Sequence, residues 1–173
     1  MADYGGLRMM GMHLAEFNFG TLKHDWDDPR VKDFVDGLDL VNGIAAKAPG
    51  FIWRLCDDEM DAAQNDPQGA LGGNPRMAST LSVWQDVASL EQFVWNSIHR
   101  QYYARKAEWY DAAGNGNFVM WWVPVGHCPD VSEGQSRWQH HEDHGDSDHA
   151  FSWSYVKEAQ LWKTQSCSKM AAE

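Results

Sequence analysis

The segment WNSIHRQYYARKAEWY, residues 95–110, carries the residue types best suited to chemistry in this chain: one imidazole, His99, with the phenols Tyr102 and Tyr103 one turn further on. An imidazole with an ordinary pKa of about 6.5 takes or gives a proton near neutral pH, and a phenol orients a substrate oxygen or stabilises an enolate. The trio fits ring closure, isomerisation, or deprotonation of an electron-rich phenol before reaction with oxygen. A histidine bonded only to backbone or solvent at a helix flank is the structural alternative. The same imidazole is also a candidate haem ligand, although the sequence holds no haem motif and its strands offer few cations for propionates.

Further polar side chains interrupt apolar segments that read as strands, where polar groups need partners. Glu16 and Asn18 share one alternate face of MHLAEFNF, Arg54 interrupts FIWRLC, and Ser82 and Trp84 share a face of a third strand. Glu16 with Arg54 reads as a structural ion pair closing the sheet. Asn18 and Arg54 are the candidate polar contacts of a substrate cavity, with Trp84, Trp95 and Trp122 as its walls. His140 and His144, in QHHEDHGDSDH, have the i, i+4 spacing of zinc ligands, but H-E-x-x-H is absent and the run reads as a solvated helix end. No metal is expected. Nor does the chain contain G-x-G-x-x-G, a P-loop or G-x-S-x-G, so nucleotide binding and serine hydrolysis lack their signatures.

The elements that must position these groups follow from periodicity. Residues 12–19 alternate as a strand, and Val31, Phe34, Val35, Leu38, Val41, Ile44 and Ala45 recur at helical spacing, with Asp28 as N-cap before Pro29 and Gly50 closing the helix. A strand at 51–56 follows. The Asp-, Asn-, Gly- and Pro-rich stretch 57–75 reads as a long loop or lid, and residues 76–86 as a third strand. From Val87 to about Ala113 one helix is expected with two aromatic stripes: Leu90, Val94, Ile98, Tyr102 and Trp109 toward the sheet, and Trp95, His99, Tyr103 and Tyr110 along its edge. The turn GNGN, 114–117, leads into FVMWWVPVG, apolar on both faces and therefore covered on both. The order β-α-β-β-α-β is an α+β, split ferredoxin-like plan. Residues 129–173 read as a polar extension with a third helix and a short extended piece, giving a domain over 12–128 and an appendage over 129–173.

Composition narrows the function classes. The 173 residues carry 14 Lys and Arg against 25 Asp and Glu, a formal net charge of -11, without a basic stripe for a phosphate backbone, which argues against nucleic acid. No run approaches the roughly 18 apolar residues of a membrane span, and three scattered cysteines suit reduced thiols in a cytoplasm. Ten Trp, seven Phe and five Tyr exceed the usual needs of one small core, and aromatic-lined pockets or interfaces are the usual surplus use.

HLAEFNFG, DDPRV..FVDGLDLVN..A...PGFIWRL, SVW.....L..FV..S.HR.YYARKAEWY and VMWWVP.GH, in this order between Met12 and His127, resemble the uncharacterised family domain of unknown function 3291. That family is placed in the dimeric α/β-barrel superfamily, beside antibiotic-biosynthesis monooxygenases, EthD-like proteins and polyketide cyclases. The resemblance implies a homodimer whose sheets form a barrel, with a small-molecule cavity between sheet and helices of each protomer. It leaves the reaction open, because relatives range over cofactor-free oxygenation, isomerisation, cyclisation and haem chemistry. Haem-using relatives carry a histidine on the helix corresponding to that of His99. The expectation is a biosynthetic enzyme acting without a cofactor, as oxygenase or as cyclase or isomerase, on an apolar aromatic or polycyclic molecule. A haem protein and a non-catalytic binding module are the alternatives.

Overall fold

A computed structural model describes residues 11–111 and 117–156. Strand β1 (Met12–Thr21) lies in the middle of the chain's sheet, followed by α1 (Lys32–Ala45), β2 (Phe51–Arg54), α2 (Asp57–Asn65), β3 (Met77–Trp84), α3 (Val87–Asn96), α4 (His99–Trp109), β4 (Asn117–Pro124) and α5 (Val131–His144). The four strands form one sheet in the order β2-β3-β1-β4, with antiparallel neighbours throughout. The architecture is mixed α+β, with helices on both sides of the sheet.

Alternation along the strands sends two different sets of side chains to the two faces. Ala15, Phe17, Leu81, Val83, Val119 and Trp121 are fully buried, or nearly so, on the face covered by α5 and α2. Asp130 caps α5 by accepting the Glu133 N–H at 2.7 Å. Gly134 lets this helix close on the sheet, since a Cβ there would stand 2.9 Å from the Phe17 ring. Beyond α5 the chain returns to the sheet. Phe151 exchanges two backbone hydrogen bonds with Met120, and Trp153 stacks on Phe118 with centroids 5.5 Å apart. The C-terminal segment therefore packs as part of the same body up to Val156; its residues 157–173 lie outside the described residues.

Several expected boundaries differ. The helix of the first crossover starts at Lys32, not at a cap by Asp28, whose carboxylate instead accepts from the backbone and guanidinium of Arg30 and organises the preceding turn. The expected loop 57–75 begins with α2, where three acidic residues open the helix at its positive dipole end. Met60 and Gln64, one turn apart, both reach Ser79 Oγ at 2.9 Å. The single helix expected over 87–113 is two. Ser97 takes an extended conformation, donates to the Phe93 carbonyl and accepts the His99 N–H, so a local side-chain bond replaces the helical ladder. Apart from Asn117, the expected turn 114–117 lies outside the described residues.

Candidate functional site

The opposite face of the sheet is hollow. Between it and α1, α3 and α4 lies a cavity of about 710 Å³, which continues past the end of short β2 to α2. That is the size range of small-molecule sites. Its floor carries Glu16, Asn18, Ser82 and Trp84, and aromatic rings such as Phe34, Phe93, Tyr102 and Tyr103 stand among the aliphatic and polar residues of its walls.

Glu16 is the exceptional residue of the floor. It is 4 % exposed, and no Lys, Arg or His among the described residues pairs with it. The strand register sets Glu16 directly opposite Ser82, so Ser82 Oγ donates to Glu16 Oε1 at 2.7 Å. Trp84 Nε1, a donor only, gives its hydrogen to Ser82 Oγ at 2.9 Å and so commits the serine proton to the carboxylate. Asn18 Nδ2 donates to Oε2 at 3.0 Å. Burial raises the carboxyl from 4.5 to about 7 against these hydrogen bonds, which favour the charged form. A carboxyl in this state exchanges protons readily at neutral pH.

The expected Glu16–Arg54 ion pair does not form. Arg54 is opposite Ser82 on the outer side of β3, two strands from Glu16, or roughly 10 Å at ordinary strand spacing. Its guanidinium pairs with Asp57 at the start of α2, at 2.6 Å, and holds that carboxyl below its ordinary value. Arg54 still lines the cavity, as do Asn18 and Trp84.

On the helix side, His99, Tyr102 and Tyr103 all border the cavity. His99 Nδ1 lies 3.4 Å from the Val94 carbonyl, and burial lowers its pKa, so the ring is neutral near pH 7. Tyr102 rests against α1 where Gly37 leaves room, since a Cβ on Gly37 would stand 2.2 Å from its ring. Tyr103 lies between His99, at a centroid distance of 6.4 Å, and Lys106, whose Nζ sits 4.6 Å above its ring. Two expected wall residues are elsewhere. Trp95 packs edge-on beneath Tyr103 and borders a separate groove at the α3–α4 break. Trp122 packs against Phe151 rather than into the cavity.

The sequence reading placed Glu16 in a structural pair and did not single out Lys106. The available signal was Glu16 itself, a carboxylate in phase with Leu14 and Asn18 in the middle of a largely apolar strand.

The histidines after Gln139 cluster, with His140 4.4 Å from His144 and 4.5 Å from His149 by ring centroids. Among the described residues no group of three His, Cys, Asp or Glu side chains is arranged to hold a metal ion. Arg137 Nη1 lies 2.8 Å from His149 Nδ1, placing a cation against this cluster. No described helix is long and apolar enough to cross a membrane.

Comparison with known proteins gives a family without a reaction. The model described as "Domain of unknown function (DUF3291)" matches residues 13–167, across the boundary expected at 128/129. No curated protein matches the chain. Among solved structures, a protein of unknown function from Nitrosomonas europaea, NE2512, is similar at 14% identity and a TM-score of 0.45, over 69% of this chain and 97% of that one. At that level the likeness carries no functional argument.

Proposed function

The chain belongs to the DUF3291 family, whose description assigns no activity, and we propose from its cavity that it is a small-molecule enzyme working by proton transfer. Its substrate is an apolar, aromatic or polycyclic molecule with an acidic C–H or O–H, and its reaction is of the isomerase, cyclase or cofactor-independent oxygenase type. The observation that supports this reading most is Glu16, a buried carboxyl near neutral pKa on the floor of a cavity of about 710 Å³.

In this reading Glu16 is the base and His99 is not. Ser82 and Asn18 each occupy one lone-pair direction of the carboxylate and fix its plane. A remaining lone pair takes the substrate proton, and the gain of a neutral carboxylic acid suits the dry floor. His99, held neutral by burial, serves as a hydrogen-bonding group on the opposite wall with Tyr102 and Tyr103. Asn18 and Arg54 contact polar substrate atoms, and Trp84 supplies an apolar wall.

The homodimer implied by the resemblance would have to use a surface other than the second sheet face, since α5 and α2 already cover it. Haem held by His99 is a second reading. One observation favours it: the Val94 carbonyl beside Nδ1 leaves Nε2 for an axial bond. The cations on the lining suit propionates poorly, because Arg54 is tied to Asp57 and Lys106 rests on Tyr103.

The test is hydrogen–deuterium exchange of 2-tetralone, an enolisable aromatic ketone, followed by NMR in D2O. Wild-type protein is expected to accelerate exchange with an apparent pKa of about 7, and Glu16→Gln to lose about 10²-fold or more of that acceleration. Equal rates in wild type and Glu16→Gln would remove Glu16 as the base. A Soret band on adding haemin, absent in His99→Ala, would instead support the haem reading.

A further inference from the structure

The walls of the cavity form a ladder that starts at the acid and ends at a cation. Trp84, which donates to Ser82 and so touches the Glu16 network, stacks on Phe93 at 5.2 Å. Phe93 meets His99 at 5.0 Å, and His99 meets Tyr103 at 6.4 Å. The Lys106 ammonium caps the last ring, 4.6 Å above its centre and 3.4 Å from its hydroxyl. His99, Tyr103 and Lys106 occupy positions i, i+4 and i+7 of α4 and so share one helical face, and all three border the same cavity.

Charge is distributed unevenly along this ladder. Among the described residues the cations bordering the cavity are Arg54 and Lys106, and Arg54 is held by Asp57 at 2.6 Å. No ion pair of Lys106 with a carboxylate occurs among the described residues; its contacts are with Tyr103. Glu16, at the other end, becomes anionic when it is ready to accept a proton. Once Glu16 has taken the proton it is neutral, and the negative charge left on the substrate is attracted toward the Lys106 ammonium, so a conjugated substrate lying between the two would place its oxygen there.

Resting on the proton-transfer reading, we propose that Lys106, seated on Tyr103, is the oxyanion-binding residue of the cavity, and that the substrate is a flat conjugated phenol or enolisable ketone whose oxygen lies against it. The balance of the step is simple. A C–H bond of the substrate, or the O–H of a second hydroxyl conjugated with the first oxygen, breaks beside Glu16; its proton passes to a Glu16 oxygen, and its electron pair delocalises through the ring system to the oxygen held by the Lys106 ammonium. Return of the proton at a different carbon gives isomerisation; attack by the delocalised carbanion on an internal carbonyl, whose π pair moves to oxygen and takes back the Glu16 proton, gives ring closure. No electrons are gained or lost in either.

The test uses 4-nitrophenol and 7-hydroxycoumarin as probes, because each phenol and its phenolate absorb at different wavelengths. Bound to the full-length wild-type protein, each probe is expected to show a phenol pKa lowered by at least one unit, a tenfold change in proton affinity. Lys106→Met should abolish the shift, Lys106→Arg should keep most of it, and Tyr103→Phe should weaken it partly. Glu16→Gln should preserve or enlarge the phenolate signal while losing 2-tetralone exchange, so failure of the base and failure of the oxyanion site are read separately. A bound phenol pKa unchanged between wild type and Lys106→Met would overturn the proposal. So would absence of probe binding by protein whose tryptophan emission shows it folded.

Discussion

The two faces of the sheet are made by the same strands and differ by one residue in phase, yet they do opposite things. The face under α5 is filled: Phe17, Leu81, Val83, Val119 and Trp121 have essentially no exposure, and Trp138 closes edge-on over Phe19 at 5.1 Å. The face under α1, α3 and α4 holds Glu16, Asn18 and Ser82 around a cavity of about 710 Å³. A close-packed layer fixes the strand geometry from behind, and that fixed geometry lets a carboxyl be held dry and uncompensated in front. Stability and chemistry are divided between alternate residues of the same segments.

Three substitutions test this division. Trp121→Ala, on the filled face, removes a fully buried ring that also donates from Nε1 to Glu133 at 2.9 Å. It is expected to cost about 3–5 kcal/mol in denaturant unfolding. Ketone exchange by the fraction still folded should be nearly unchanged; a large loss there would mean that the two faces are not separate.

Glu16→Gln should act the other way, sacrificing exchange activity while raising stability. Below about pH 4.5 the wild-type carboxyl is protonated whether folded or not, and the two proteins should differ little on this account. As pH rises from 4.5 to about 7 the unfolded chain ionises first and draws the equilibrium toward unfolding. Above pH 7 the loss is complete, at roughly 3 kcal/mol relative to the neutral variant. Unfolding curves of both proteins from pH 4 to 8.5 measure it. A difference independent of pH would show that Glu16 is not held protonated by burial.

Gly37→Ala is the smallest change and probes the roof of the cavity. The added methyl would displace the Tyr102 ring, for an overpacking cost of about 1–3 kcal/mol. Because Gly37 and Tyr102 both border the cavity, affinity for a bound phenol should change with it. Binding that stays constant despite the lost stability would show that ligands do not reach this wall.

Much of the fold was legible because it depends on local periodicity. The alternation of MHLAEFNF and the apolar run FVMWWVPVG match the central strand β1 and its neighbour β4, and α1 follows its spaced apolar residues. Misreadings occurred where a short-range polar contact decides the backbone. Ser97, bonded to Phe93 and His99, divides a segment whose hydrophobic pattern is continuous. Met60 and Gln64 make α2 worthwhile through Ser79, a residue distant in sequence, within a stretch whose composition reads as loop.

For the candidate site, residue type was visible and partnership was not. His99, Tyr102, Tyr103, Asn18, Arg54 and Trp84 border the cavity, whereas Trp95 and Trp122 turn to other contacts. The sequence alone determined that a carboxylate, an amide and a hydroxyl would stand on the faces of apolar strands, because period-2 alternation is a property of the strand itself. Only the tertiary structure decided the strand order, which puts β3 between Arg54 and Glu16. That order gives Arg54 to Asp57 and leaves Glu16 with Ser82 and Asn18 in a dry floor, where desolvation outweighs two hydrogen bonds and brings its pKa to about 7.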